Sequence, residues 1–245
     1  VPVTGQVAAA DPGVSRGEAP LRLLQLSPRD MNIYGDWGNT LVLAQRLRRH
    51  GYDVELLSYD PGDALPAEVD LVVGGGGQDS GQGRIKDDLL SIGPRLHQWA
   101  QGGVPMLVIC GLYQLFGHRF VTGEAADIPG IGLLDAETRA GSSTTRLIGN
   151  IVLDTEEFGP VVGYENHSGL STLGPGARPF GTVRSGDGNN GADRTEGARV
   201  HHVIGTYLHG SILPKNPVVA DWLVARAVEH RLGEGAFTPA TIDDS

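Results

Sequence analysis

The chain holds one cysteine and two methionines in 245 residues. A single thiol cannot close an internal disulfide, and no cluster of cysteine and histidine has the spacing of a structural zinc site. A reducing, cytoplasmic setting is therefore expected. Basic residues are the second scarcity: 19 lysines and arginines face 29 aspartates and glutamates, for a net charge of −10. Neither nucleic-acid phosphates nor anionic lipids attract such a field, which argues against both as partners. Long apolar runs are missing too, so no segment is read as spanning a membrane. The opening "VPVTGQVAAADPGVSRGEAP" has neither the basic start nor the apolar stretch of a signal peptide and reads as a loose arm, residues 1–20.

What is plentiful is glycine, 37 residues, with 15 prolines and no short repeat period, so many tight turns are expected and collagen-like or solenoid readings are excluded. With 40 % hydrophobic and 20 % charged residues the chain can bury a full core, and its length suits one domain, residues 21–242, after the arm.

In the first half, short apolar runs alternate with helical patterns. "LRLLQLSP" (21–28) reads as a strand, followed by the polar loop "RDMNIYGDWGN" (29–39) and a helix that Asn39 caps and Gly51 stops. "DVELLSY" and "VDLVV" (69–73) are further strands, the second running into "GGGGQD". A helical stretch over 84–101, broken at Gly93-Pro94, leads to the strand 104–109. Such alternation is the mark of a mostly parallel sheet with helices on both faces. The second half, with "IGLLD", "TTRLIGNIVLD", "VVGYENH", "RPFGTVR" and "HHVIGTYLH", reads as added antiparallel strands at the sheet edge or ends. A last helix (216–233) has Asn216 as cap, Pro217 in the first position and Gly233 as stop.

The only cysteine, Cys110, ends the apolar strand of "VPMLVICGLYQLF" and is followed at once by Gly111 and a helix. In open α/β sheets the ligand crevice lies beyond the carboxyl ends of the strands. A thiol there, at a helix N-terminus, is placed to act as a nucleophile. Gly111 and the 75–77 loop, Gly76 in particular, would offer backbone N–H groups to an oxyanion. The bland alternative is strong for each alone: lone free cysteines are mostly packed in cores, and glycines serve tight turns for steric reasons. A histidine in matching context raises the odds. Of eight histidines, His209 ends the strand-like "GTYLH" and is the base that a thiol requires. His201 and His202 read as strand-side residues, others fall on helices, and His167 in "YENHSG" is the rival.

"ICGLYQLFG", "GGGG", "GYENHSG" and "GTYLHGSILPKNP" resemble the class I glutamine amidotransferases of the cobyric acid synthase (CobB/CobQ-like) branch. "NIYGDWGN", "TRLIGNIVLDTEEFGPVVGYENH" and "LPKNP" look like the glutaminase subunits of lipid II isoglutaminyl synthase within that branch. The resemblance covers roughly residues 21–242. It implies a three-layer, flavodoxin-like α/β fold and hydrolysis of L-glutamine through a Cys110 thioester with His209 as base. It also implies a Mur-ligase-like partner subunit that holds ATP and magnesium, uses the released ammonia on the D-glutamate α-carboxyl of lipid II, and works at the inner membrane face. No cofactor is expected in this chain. Arg146 matches the arginine that binds the glutamine α-carboxylate, although most strand arginines are merely surface ion pairs. Gln114 matches a glutamine that contacts substrate, and as a residue of a short helix it suits a structural role equally. Other readings within reach are ammonia supply for a corrinoid-type acid, or a non-catalytic scaffold on the same fold.

The chain departs from the class in two places. The positions two before and two after a nucleophile at such a turn are usually small, and here they are Val108 and Leu112. Where class I enzymes place a glutamate two residues after the histidine, this chain has Ser211. The acid that orients His209 is then expected from Glu165, from Asp79 or from the partner subunit.

Overall fold

A computed structural model describes residues 19–77, 79–122, 127–141, 146–209 and 211–244, the side chain of Asp79 excepted. The arm expected over 1–20 lies almost wholly outside them. The central sheet begins with β1 (Leu21–Leu26), followed by helix α1 (Trp37–Arg49) and β2 (Val54–Tyr59). Then come β3 (Leu71–Gly74), helix α2 (Asp79–Gln101), β4 (Met106–Ile109) and the short helix α3 (Gly111–Phe116). All of β3 and β4 is buried, as strands covered on both faces must be.

Three short strands follow, β5 (Arg119–Val121), β6 (Ile128–Pro129) and β7 (Ala136–Ala140). A long hairpin, β8 (Leu147–Thr155) with β9 (Gly159–His167), leads to β10 (Gly169–Leu173), β11 (Gly181–Ser185) and β12 (Thr195–Glu196). The chain returns to the centre through β13 (Ala198–Val200) and β14 (Val203–Thr206), then leaves it again in β15 (Leu208–His209). Helices α4 (Ile212–Lys215) and α5 (Pro217–Leu232) close the fold.

The main sheet has the order β13-β14-β4-β3-β1-β2, parallel apart from the edge strand β13. Its parallel part reverses direction of growth between β1 and β3, and at such a switch point the loops diverge and leave a crevice. The connections β1-α1-β2 and β3-α2-β4 run opposite ways, so right-handed crossovers put α1 and α2 on opposite faces. α5 packs on α1, and α3 meets α2. The three-layer α/β architecture expected from the alternation is thus observed.

Most of the second half does not extend that sheet. It builds two sheets of its own, β10-β7-β5-β6 and β12-β11-β8-β9-β15, while β14 joins the central sheet parallel to β4 and β13 pairs antiparallel with β14 at the edge. "IGLLD" contributes no strand; its leucines, Leu133 and Leu134, are core residues. His201 and His202 sit in the turn between β13 and β14, His201 at a positive φ of 51°, not along a strand.

The helix signals also need correction. α1 starts at Trp37, whose N–H is accepted by Asn32 Oδ1 at 2.9 Å. Asn39 lies inside the helix, fully buried, and accepts the Leu213 N–H at 3.0 Å. α2 runs through Gly93-Pro94 unbroken, because buried Leu89, Ile92 and Leu96 seat it on the core to either side. Asn216 does precede α5, but its side chain bonds both the N–H and the carbonyl of Val162, joining β9 to the helix start. No described helix is long and apolar enough to cross a membrane.

Candidate active site

Cys110 occupies the turn between β4 and α3 with φ 50° and ψ −102°, a conformation that side chains rarely adopt. Holding it costs on the order of 1–3 kcal/mol, supplied by the surrounding packing. The Cys110 N–H still donates to Thr206 O at 2.9 Å, and its carbonyl accepts the Gln114 N–H at 3.0 Å. The residue is therefore pinned between sheet and helix, and its side chain alone is left to turn toward the crevice. Gly111 opens α3, so its N–H has no acceptor within the helix.

The bulky neighbours are accommodated across the sheet. Val108 is paired with Gly74 on β3 and with Gly205 on β14. A Cβ at Gly74 would lie 2.3 Å from Leu112 Cδ1, and one at Gly205 would lie 2.3 Å from Tyr113 Cδ2. Size usually saved around the nucleophile is saved here on the two flanking strands, so α3 settles closely and the turn keeps its positive φ.

His209 is brought to the thiol by β15, whose register pairs it with Tyr164 of β9. A Cβ added at Gly76 would lie 2.8 Å from His209 Cε1 and 3.1 Å from Cys110 Cβ, so the two groups close around that glycine. The His209 ring is almost fully buried and lies 4.4 Å, centroid to centroid, from Tyr34. Asp36, wholly buried, places Oδ2 at 3.9 Å from His209 Nδ1, an ion-pair separation longer than a hydrogen bond. Burial alone would depress the imidazolium, but Asp36 and the Cys110 thiol outweigh it and raise the His209 pKa to about 10.

The same Asp36 Oδ2 accepts the Gly76 N–H at 2.7 Å. That corrects the expectation for Gly76, whose donor is committed to the carboxylate. Gly77 N lies close against Gly111, at 3.0 Å from the position of its absent Cβ, so the amides of Gly77 and Gly111 are the neighbouring donors.

Of the two internal acids expected from sequence, Glu165 does not serve. Glu165 follows Tyr164 on β9 and is paired with Leu208, one place before His209, and successive strand residues face opposite ways. Its carboxylate accepts the N–H groups of Asp187 and Gly188, both at 2.8 Å. The Asp79 side chain lies outside the described residues. Ser211 donates to Gly35 O at 3.0 Å and so ties the loop carrying Asp36 to the segment just past His209. His167, the rival histidine, is stacked on Tyr207 with centroids 3.6 Å apart, and its Nδ1 donates to Gly169 O at 2.7 Å. Burial lowers its pKa to about 4.

Cys110 opens into a cleft of about 390 Å³ lined by Tyr34, Gln114, Arg146 and Asn166 among others. Arg146 stands exposed at the rim, donating from Nε to Asn166 Oδ1 at 2.6 Å and from a terminal nitrogen to Tyr34 Oη at 3.2 Å. Those bonds use two of its five N–H donors and fix the fork. Gln114 also lines the cleft, with its amide held from below: Oε1 accepts from Gln82 Nε2 at 2.7 Å and Nε2 donates to Tyr207 Oη at 3.1 Å. Gln82 in addition donates to Gly111 O at 3.0 Å.

Sequence reasoning missed Asp36, Tyr34, Asn166 and Gln82. Asp36 carried a usable signal, since a carboxylate in the loop after the first parallel strand sits on the crevice side by topology. No cluster of histidine, cysteine, aspartate and glutamate suited to a metal occurs among the described residues.

A buried thiol at a strained turn, an imidazole beside it and an arginine across a small polar cleft place a nucleophile, a base and an anion-binding cation around one opening. Residues 23–217 match the CobB/CobQ-like glutamine amidotransferase domain. The chain is 36 % identical over 215 residues to "Lipid II isoglutaminyl synthase (glutamine-hydrolyzing) subunit GatD" of Staphylococcus aureus (strain N315), covering 87 % of this chain and 86 % of that one. It is 35 % identical over 227 residues to the subunit of the same name from Streptococcus pneumoniae (strain ATCC BAA-255 / R6), covering 91 % and 86 %. A solved glutamine amidotransferase, 16 % identical, shares the fold with a TM-score of 0.57 over 83 % of this chain and 98 % of its own. The chain belongs to the CobB/CobQ-like glutamine amidotransferases and is an enzyme of that class.

Proposed function

We propose that this chain is the glutaminase subunit of a lipid II isoglutaminyl synthase. It would hydrolyse L-glutamine through a thioester on Cys110 and hand the ammonia to a Mur-ligase-like subunit. That partner would spend ATP, with magnesium, to amidate the D-glutamate α-carboxyl of the lipid II stem peptide at the cytoplasmic face of the membrane. The supporting observation is the Cys110 turn closing with His209 around Gly76, taken with likeness to GatD subunits along most of both chains.

The residues support the following course. Arg146 receives the α-carboxylate of glutamine and lays the side-chain carboxamide over Cys110. His209 Nδ1 faces Asp36, which leaves Nε2 to take the thiol proton. The thiolate attacks the carboxamide carbon, and the Gly77 and Gly111 amides receive the charge that forms on its oxygen. His209 returns the proton to the departing nitrogen, the C–N bond breaks and ammonia leaves. Water, deprotonated by His209, then attacks the thioester carbonyl, the C–S bond breaks, and glutamate and the free thiol are restored.

The test is intact mass after incubation with 6-diazo-5-oxo-L-norleucine, a glutamine analogue that alkylates glutaminase nucleophiles. One adduct per chain is expected, absent in Cys110→Ala. A wild type that stays unlabelled both alone and with the ligase subunit would remove the glutaminase assignment. With that subunit, ATP and glutamine, lipid II should gain an amide at D-glutamate; an unaltered lipid II would refute the acceptor.

A further inference from the structure

We propose that a cavity lined by Arg178, Arg199, Arg226 and Trp222 binds a phosphate dianion, free or esterified, at the end of the sheet remote from Cys110. The proposal does not depend on the glutaminase reading, since none of these residues lines the Cys110 cleft.

The cavity measures about 410 Å³. His202 in its lining accepts, at its carbonyl, the N–H of Met106 at 3.1 Å. Met106 begins β4 and Cys110 follows its last residue, so the length of the strand separates the two openings. The cavity therefore sits at the amino ends of β4 and β14, and the thiol at their carboxyl ends.

Three observations point to an anion. Arg178 and Arg199 form an antiparallel bridge in which each N–H donates to the other's carbonyl, at 3.2 and 2.7 Å. Residues directly opposite in this way project to one side, and like charges so placed repel. The charges in the lining are also unbalanced. Three guanidinium groups face one carboxylate, Glu157, in a chain whose net charge is −10. Glu157 accepts from Arg199 at 2.6 Å, and Arg178 acts on it through charge alone.

The third observation is the state of Arg199 itself. It is buried, with Cζ 5.2 Å from the Phe158 ring centroid and 4.8 Å from that of Trp222. Its Nε is shut from solvent without a hydrogen-bond partner, and so is the Nε of Arg226. Burial, and then the charge of Arg178, push the Arg199 guanidinium below its usual range, against the pull of Glu157. A buried ion pair kept for stability alone is expected to have its donors matched.

The chemistry of the donors selects the ligand. The three arginines come from the segment before β11, from β13 and from α5. Forks from three elements suit the oxygens of a tetrahedral phosphate, whereas a planar carboxylate is served by one. With histidines neutral, three cations less one carboxylate leave two positive charges, the complement of a dianion. Helix α2 ends nearby, and its exposed acceptor at Gly103 O is already taken by His202 Nδ1 at 3.1 Å.

Calorimetric titration of the full-length chain at fixed ionic strength, with inorganic phosphate, pyrophosphate and glycerol 2-phosphate, tests the proposal. One site per chain is expected, and the tightest of the three ligands distinguishes a free from an esterified phosphate. Arg178→Gln, at an exposed position, and Arg226→Gln should each weaken binding by about tenfold. Arg146→Ala, which alters the Cys110 cleft, should leave it unchanged. Alkylation of Cys110 by 6-diazo-5-oxo-L-norleucine should proceed in Arg178→Gln as in wild type; a wild type that resists alkylation would count against the glutaminase reading and leave the titration intact. No binding of any of the three at about 10 mM would overturn the proposal. So would unaltered binding in both Arg178→Gln and Arg226→Gln, or its loss in Arg146→Ala. Malonate bound as tightly as phosphate would overturn the choice of phosphate.

Discussion

Leu112 rests on Gly74: a Cβ at position 74 would lie 2.3 Å from Leu112 Cδ1, and Leu112 itself is wholly buried. The pair explains how a nucleophile turn tolerates a leucine two residues after its cysteine. Gly74→Ala should cost about 1 kcal/mol, because only the tip of the leucine must move. Gly205→Ala meets the Tyr113 ring at 2.3 and 2.9 Å and Leu134 at 2.6 Å, groups with less room, so about 2–3 kcal/mol is expected. Urea unfolding measures both. Leu112→Ala in the Gly74→Ala background should recover part of the first loss, and strict additivity of the two would show that they do not touch.

Arg146→Ala should raise the KM for glutamine, or the half-saturating concentration of the alkylating analogue, by roughly 10- to 100-fold. That is the loss of a hydrogen-bonded charge pair of about 1.5–3 kcal/mol. The maximal rate should change little if the guanidinium holds the α-carboxylate, as proposed, and not the reacting carbon. Saturation kinetics of labelling decide it; a fall in maximal rate with unchanged half-saturation would place Arg146 at the chemistry.

Glu165→Gln isolates the acid expected from sequence. Its carboxylate serves the Asp187 and Gly188 amides, and an amide side chain offers only one oxygen to them. A stability loss of about 1 kcal/mol is expected, with the pH profile of alkylation unchanged. A tenfold slower alkylation would return Glu165 to the catalytic assembly.

Glu196 gives a pH-dependent term in stability. Burial raises its carboxyl from 4.5 to about 8, against the Tyr207 N–H and Thr206 hydroxyl bonds that lower it. The folded chain therefore holds a proton that the unfolded chain releases. This contribution is full below pH 4.5, falls as pH rises, and is lost above about 8. Glu196→Gln stays neutral throughout. Its melting temperature relative to wild type should climb from pH 5 to 8, and a constant difference would mean that Glu196 is ionised in the folded state.

The sequence by itself determined the alternating α/β core, the place of Cys110 at a strand tip and the class of chemistry. Apolar runs, glycine stops and a thiol before a helix are local signals, and each has one economical structural meaning. His209 was legible because it ends a strand, and Arg146 because of its motif. The rest was decided in three dimensions. Val108 and Leu112 looked too large for the turn until strand register set them against Gly74 and Gly205. Glu165 looked like an acid near the base until pleat alternation turned it away from His209. Gly76 looked like an oxyanion donor until the fold gave its N–H to Asp36. Asp36 itself lies far from His209 along the chain, and only the crossover connections of a parallel sheet bring the loop after β1 over the end of β4. Register, face and loop convergence depend on pairing between distant segments, and those pairings set the site.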